Sequence, residues 1–402
     1  MTAADNARIS ALASNRLIHK TFAWLHLHEP QIRRWQLEAI NIPAPPFQEH
    51  LRAAYFLQQF QQLGLTNPHI DAEGNALAEL PATDNKTPII LLSAHLDTVF
   101  PAGTDCTPTI EESRIYAPGA CDNAAGLAAL LALAAALQHA SITPACTILF
   151  AANVGEEGEG DLRGMRHLFN PKSPYSTRIK AAIAFEGSGT ETVVDRALGS
   201  RRLRITVTGP GGHSWADAGR PNPILALSAA LLAISRIPLP RNPRTTLNVG
   251  TISGGTSVNS IPPSATADLD LRSTSAAQLD RVELAILKTL QSTIDNDLHL
   301  HATRIGDRLP GILPESSQLH RSLRAVDRHL RLATDSRIGS TDANLPLSLG
   351  IPALAIGAGG TGGGMHTLAE WYDPTGRDLA LRRTLLLLLD TCTLAAADPL
   401  SS

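Results

Sequence analysis

Five places in this chain set histidine or carboxylate side chains at the end of an apolar run or just ahead of one. Ile89–Ala94 leads into His95-Leu96-Asp97, Thr147–Ala152 into Gly155-Glu156-Glu157-Gly158, and Ala181–Phe185 into Glu186-Gly187. Ala353–Ile356 leads through a glycine run to His366. Asp122 stands in Gly119-Ala-Cys-Asp122-Asn-Ala-Ala-Gly126, ahead of an Ala/Leu-rich stretch. Imidazole and carboxylate together form a donor set for divalent metals, and a carboxylate beside such a site can carry a proton as general base. Taken singly, none of these signals is strong. A Glu-Glu pair is ordinarily solvated surface, an isolated His-x-Asp is more often structural than catalytic, and Asp122 alone reads as a helix cap. Their joint occurrence at run ends is what points to one site.

The elements that must position these residues follow from the patterning. The four runs are four to six residues long and nearly all apolar, which suits strands buried on both faces. Gly126–His139 is an Ala/Leu-rich helix candidate between the first two, and strand–helix alternation predicts an α/β layer with a mostly parallel sheet. In such sheets ligands bind beyond the carboxyl ends of the strands, where the polar residues stand. Residues 1–60 read as amphipathic helices broken by the prolines of Asn41-Ile-Pro-Ala-Pro-Pro46. The middle of the chain differs. Arg202–Thr208, Thr246–Ile252, Ala265–Leu271 and Leu298–Arg304 alternate apolar and polar residues, with helices expected at Pro223–Ile234 and Ala276–Asp295. That order, β-α-β-β-α-β, predicts a ferredoxin-like domain over 199–306, inserted into an α/β domain formed by 1–198 and 307–402.

Composition narrows the function classes. The chain has 402 residues, a formal net charge of −3 and 43% hydrophobic residues, which argues against disorder and against nucleic-acid binding. Its 14 histidines outnumber 4 isolated cysteines, so a thiolate zinc site or a disulfide framework is not expected. The N-terminus lacks a basic start followed by an apolar run, and Gly126–Leu137 and Leu385–Leu389 fall short of the ~20 residues that span a bilayer. A cytoplasmic protein without membrane partners is expected. The glycines of 357–364 open no GxGxxG helix and precede no Lys-Ser/Thr, so they are read as letting the backbone approach a ligand before His366. No GxSxG elbow supports a serine hydrolase.

His95-Leu-Asp97-Thr, Gly119…Asp122, Glu156-Glu157, Glu186-Gly, Gly212-His213-Ser, Gly255-Thr-Ser-Val-Asn259 and His366, in this order from about residue 35 to 390, resemble the M20 family of co-catalytic metallopeptidases. That family includes peptidase T-like tripeptidases, dipeptidases, glutamate carboxypeptidases and N-acyl-amino-acid deacylases. The resemblance implies a zinc-exopeptidase-like catalytic domain with an inserted lid or dimerisation domain, a homodimer, and two divalent metal ions. Zn2+ is the first expectation, with Mn2+ or Co2+ as substitutes. It implies that Asp122 bridges both ions, that His95 and Glu186 complete one site, and that Glu157 and His366 complete the other. Asp97, two residues from His95 and on the same face of a strand, is expected to accept the imidazole's other N–H.

By the same resemblance Glu156 is the general base, and His213 stabilises an oxyanion in the partner subunit's site. Asn259, Arg272 and Asp342 would bind substrate, although Arg272 could equally pair with Asp268 or Asp270. Two features depart from the family pattern. Ala124 stands where many members have Lys, and Glu186 is the residue of deacylases and carboxypeptidases rather than of aminopeptidase-like tripeptidases. Against that, Asp161-Leu-Arg-Gly164, Ser340-Thr-Asp-Ala343 and His366-Thr-Leu-Ala-Glu370-Trp look closer to peptidase-type members. The first reading is therefore a metal-dependent, aminopeptidase-like exopeptidase of di- and tripeptides. The alternatives are an N-acyl-amino-acid deacylase with the same chemistry, of the acetylornithine deacetylase or succinyl-diaminopimelate desuccinylase kind, and a non-catalytic binding protein that kept the fold.

Overall fold

The computed structural model describes residues 3–84, 88–295 and 297–397. The chain divides into two compact units, Met1–Arg196 with Ile312–Ser402, and Ala197–Gly311.

In the first unit the four apolar runs are neighbouring parallel strands. Their order is Thr147–Asn153, Ile89–His95, Ile179–Phe185, Ala353–Ile356. Every residue of the first, second and fourth of these strands is buried, as expected for a sheet covered on both faces. Antiparallel strands flank them. Ala76–Leu80 lies beside Thr147–Asn153 and Thr192–Ala197 beside Ala353–Ile356. The helix Ala124–His139 starts two residues before the expected Gly126, and Ala124–Leu137 is buried throughout. It contacts the strands on one side and the helices Arg16–Leu27 and Glu29–Ile40 on the other, which is why it is apolar all round. The C-terminal helix Arg377–Ala397 packs beside Gln318–Leu330. There Arg383 donates to Asp327 at 2.6 and 2.8 Å, a buried pair linking the two helices.

A second, small antiparallel sheet has no counterpart in the sequence reading. It joins Thr361–Gly363, Trp371–Asp373, Arg114–Tyr116 and Thr109–Glu111. Its hairpin, 361–373, has a tip that carries His366. Among the described residues no helix is long and apolar enough to cross a membrane.

The second unit is a four-stranded antiparallel sheet ordered Thr245–Gly254, Ser264–Ser273, Gly199–Thr208, His299–Arg308. With the helices Pro223–Ile234 and Ala276–Thr293, its chain order is β-α-β-β-α-β, the ferredoxin-like arrangement. Leu203, Ile205, Val207, Ala265, Ala267, Leu269 and Leu271 face the helices and form its core with Leu227, Leu279, Val282 and Ile286. Each large aliphatic side chain buried there contributes about 1.5–3 kcal/mol relative to exposure. Thr245–Gly254 departs from the expected single wet face. From Asn248 onward both faces are exposed, including Val249 and Ile252, because the two helices pack on the other three strands.

Candidate metal centre

Parallel register aligns the strand ends, with His95 opposite Asn153 and Phe185 opposite Ile356. The residues that follow therefore meet at one edge. His95 is fully buried. Its Nε2 lies 3.0 Å from Asp122 Oδ1 and 3.8 Å from Glu186 Oε1. Asp122 Oδ2 lies 3.0 Å from His366 Nε2, which in turn is 3.1 Å from Glu157 Oε1. Asp122 thus presents one oxygen to each histidine. Among the described residues three groups have donor atoms within 4.8 Å of one another: His95–Asp122–Glu186, Asp122–Glu157–His366 and His95–Glu156–Glu157.

The support for these side chains differs in one respect from expectation. His95 Nδ1 is 3.0 Å from the backbone carbonyl of Asp97, with the Asp97 carboxylate 3.7 Å away. A carbonyl only accepts, so Nδ1 carries a proton and Nε2 is the atom turned to the acids. The Asp97 carboxylate instead accepts the backbone N–H groups of Glu156 at 3.0 Å and Glu157 at 2.7 Å. Asp97 therefore fixes the ring through its main chain and the Glu-Glu turn through its side chain. Two glycines of the run make close approaches within the chain itself. A Cβ on Gly357 would strike the Ser188 and Gly189 carbonyls, and one on Gly360 the Asp373 carbonyl, so these glycines let the chain pass close to its own backbone. His366 itself adopts a left-handed conformation, φ 64°, of the kind that recurs at functional sites.

The electrostatics fit a cation. Burial, then the charge of Asp122, push the Glu186 carboxyl up to about 7. Contacts with Asp122 and Glu157 push His366 up to about 10. Burial alone would depress His95, but Asp122 and Glu186 outweigh it and raise the ring well above its ordinary value. Burial would likewise raise Asp122, yet His366 and His95 hold it below the usual carboxylate range. Protons on two imidazoles thus offset part of the negative charge gathered at Asp122, Glu156, Glu157 and Glu186, the task a divalent ion performs in such a donor set. Among the described residues Glu186 Oε2 is buried with no hydrogen-bond partner. Desolvated lone pairs of that kind suit a metal ligand. The residues present therefore fit a divalent metal.

The sequence profile of peptidase family M20/M25/M40 matches residues 91–389. This chain belongs to the M20 peptidase family. A probable carboxypeptidase of Aspergillus clavatus is 30% identical over 244 residues, 55% of this chain and 53% of that protein. The M20 chain thus spans about half the length of this relative. The succinyl-diaminopimelate desuccinylase of Stenotrophomonas maltophilia is 28% identical over 290 residues, 67% of this chain and 76% of that protein. A tripeptidase structure from Staphylococcus aureus superposes with a TM-score of 0.71 at 21% identity, covering 90% of this chain and 99% of the other. A dinuclear metal-binding peptidase of Bacillus subtilis gives 0.66 at 14% identity, covering 92% and 99%. These structures share the fold over about nine-tenths of this chain.

The remaining M20-type candidates are dispersed. His213 and Asn259 lie together in the second unit, where Gly212-His213 pairs with Ser260-Ile261 and the Ser214 N–H donates to the Asn259 carbonyl at 3.0 Å. His213 Nδ1 accepts the backbone N–H groups of Trp215 at 3.2 Å and Ala216 at 3.3 Å, which leaves the ring proton on Nε2. Arg272 Nε donates to Asp270 at 2.7 Å, the ion-pair alternative. It stands eight residues along the strand Ser264–Ser273, about 26 Å from its start at ~3.3 Å per residue. The structure does not bring it to the His213–Asn259 pair. Asp342 is fully buried and accepts the Asn153 side-chain N–H at 2.8 Å, at the end of the strand Thr147–Asn153.

Two supporting roles went unread in the sequence. Arg52 is buried and donates to the carbonyls of Leu96 at 2.6 Å and Ile42 at 2.8 Å, holding the turn between His95 and Asp97. In an amphipathic helix an arginine reads as surface, so no pattern marks it. Glu370 is also buried, and burial pushes its carboxyl up to about 7 against the lowering effect of the Asp122, Gly119 and Cys121 N–H groups. The sequence marked it only as part of the peptidase-like stretch His366-Thr-Leu-Ala-Glu370-Trp, with no role attached.

Proposed function

We propose that this M20 protein is a metal-dependent exopeptidase acting on short peptides, with His95, Asp122 and Glu186 holding one divalent ion and Asp122, Glu157 and His366 a second. The observation that carries the reading is Asp122, whose two oxygens each lie 3.0 Å from a different histidine. Zn2+ is the ion we expect, with Mn2+ or Co2+ as functional substitutes, because the donors are all imidazole and carboxylate. Such a pair of ions supplies Lewis acidity to a carbonyl and lowers the pKa of water.

The chain's own residues supply the rest. Glu156 is nearly buried, its backbone tied to Asp97. Its carboxylate takes a proton from the attacking water and returns it to the leaving nitrogen. His213, with Nε2–H as its donor, stabilises the oxyanion in a partner subunit's site, and Asn259 beside it contacts substrate. The exposed edge strand Thr245–Gly254, with Val249 and Ile252 uncovered, supports a homodimer, since unpaired edges of this kind invite pairing.

A second reading has specific support. Glu186, rather than Asp, and the likeness to a desuccinylase favour an N-acyl-amino-acid deacylase with the same residues in the same roles. The purified protein, loaded with each metal, is assayed on di- and tripeptides, on N-blocked and C-amidated versions, and on N-acetyl and N-succinyl amino acids. The peptidase reading expects cleavage of the free peptides, and the blocked forms identify the end removed. Preference for the acyl amino acids would replace it by the deacylase. Fewer than one ion per chain after loading, with no turnover, would leave a binding protein.

A further inference from the structure

The hairpin 361–373 reaches Asp122 from two sides. Its strands Thr361–Gly363 and Trp371–Asp373 pair so that Gly363 faces Trp371, and the tip between them carries both His366 and Glu370. His366 meets the Asp122 side chain. Glu370 meets the Asp122 main chain. Its Oε1 accepts the N–H groups of Cys121 and Asp122, both at 2.8 Å, and its Oε2 accepts Gly119 N–H at 2.9 Å. The backbone completes the contact, because Ala117 N–H donates to the Glu370 carbonyl at 3.1 Å. Trp371 and Tyr372 pair with Tyr116 and Ile115, so the strand leading into Asp122 is itself held by the hairpin that carries His366. Glu370 is 1% exposed.

A buried carboxylate is costly unless its lone pairs are satisfied. Here the donors that satisfy it are three main-chain N–H groups of a single turn. Such a cradle of N–H groups around an anion fixes the direction of each peptide in it. We infer that Glu370 is a positioning residue. It locks the turn 119–122 so that the Asp122 carboxylate stands between His95 and His366, and it ties that placement to the hairpin bearing His366. The inference rests on the reading of Asp122 as the ligand shared by two ions. Glu370 belongs to none of the three donor groups. Its effect passes through the geometry of Asp122, and both ions should feel it.

Glu370→Gln keeps the shape and leaves one accepting oxygen. If that oxygen serves Cys121 and Asp122, the amide NH2 points at the Gly119 N–H, donor against donor. Tyr372→Phe provides the comparison. It removes the 3.0 Å hydrogen bond from Tyr372, in the same hairpin, to the Gly359 carbonyl just ahead of it and leaves the turn alone. Both variants and the unaltered protein are titrated with Zn2+ by calorimetry, and their melting is followed without metal. The expected result for Glu370→Gln is a loss of at least ~10-fold in affinity for both ions, the scale of supporting contacts around metal ligands. Tyr372→Phe should melt earlier yet bind as the unaltered protein does.

Equal affinity in Glu370→Gln, or equal losses in the two variants, overturns the inference and leaves the shared-ligand reading standing. An unaltered protein that binds fewer than two ions overturns that reading, and the inference with it. If Glu370→Gln does not fold, Glu370→Asp, a methylene shorter, is loaded with Co2+ and its visible absorption recorded. Bands displaced from those of the unaltered protein support the positioning role, and superimposable bands overturn it.

Discussion

Asp97 and Glu157 are joined by a 2.7 Å hydrogen bond from the Glu157 backbone N–H to Asp97 Oδ2, across 60 residues of chain. With the 3.0 Å bond from Glu156 to Oδ1, it makes one carboxylate the anchor of the whole Glu-Glu turn. Asp97→Asn keeps one acceptor and turns a donor toward the other N–H. We expect a 10–100-fold loss of metal affinity in a protein that still folds, measured by titration with Zn2+. Unchanged affinity would show that the turn holds itself.

Glu156 and Glu157 are neighbours with different expected roles, and substitution separates them. Glu156→Gln should retain both ions and lose at least ~10²-fold in turnover, the usual contribution of an acid–base group. Glu157→Gln should lose an ion. Metal analysis beside steady-state rates decides this, and a Glu156→Gln protein at near-normal rate would remove Glu156 from the proton-transfer role.

Metal uptake should release protons. Without metal, His366 is raised to about 10 and His95 is raised well above its ordinary value, both by contact with carboxylates, so at pH 7 both rings are charged. A ligand nitrogen must be unprotonated, so binding at neutral pH should displace about two protons. Glu186, raised to about 7, adds a fraction. The sign follows: affinity rises with pH until the rings deprotonate unaided. Calorimetry in buffers of different protonation enthalpy reads the proton count directly, and a count near zero would contradict the charge balance described for the cluster.

Gly126 sits where the helix Ala124–His139 passes the strand carrying Phe185. A Cβ there would lie 2.9 Å from Phe185 Cβ and collide with Asn123 Oδ1. Asn123 also donates to the Phe185 carbonyl at 2.9 Å. Gly126→Ala, ordinarily favourable in a helix, should here destabilise by about 1–3 kcal/mol through overpacking. A shift of the denaturant midpoint to lower concentration checks it, and a stabilised variant would show that Asn123 yields freely.

What the sequence made legible, and what it did not, divides along physical lines. Strands buried on both faces leave long apolar runs, so Ile89–His95 and its three parallel neighbours were readable, and with them the edge where His95, Glu156, Glu157 and Glu186 meet. The inserted unit was readable because Leu203, Ile205 and Val207 alternate with polar residues. The hairpin 361–373 was not, since Thr361–Gly363 has too few side chains to form a pattern. Contacts made through the main chain, such as those of Glu370 and of the Asp97 carbonyl, leave no mark on residue type at the partner. Arg272 was ambiguous for another reason: a guanidinium suits a substrate carboxylate and Asp270 equally well, and only placement separates the two.

The placement of Arg272 bears on how many chains build one site. His213 and Asn259 lie together, whereas Arg272 is eight residues along the strand Ser264–Ser273, about 26 Å from that strand's start at ~3.3 Å per residue. A dipeptide cannot touch both. If both take part, one copy of the inserted unit serves two sites, His213 and Asn259 reaching one and Arg272 the other, which is the arrangement a symmetric dimer permits. Mixing tests it. His213→Ala and Glu156→Gln chains should each be nearly inactive alone. In a mixed dimer the site on the His213→Ala chain keeps its own Glu156 and receives His213 from its partner. Equal mixing with full subunit exchange should therefore restore about a quarter of the unaltered activity, one competent site in every second dimer. No recovery despite demonstrated exchange would place His213 in the site of its own chain.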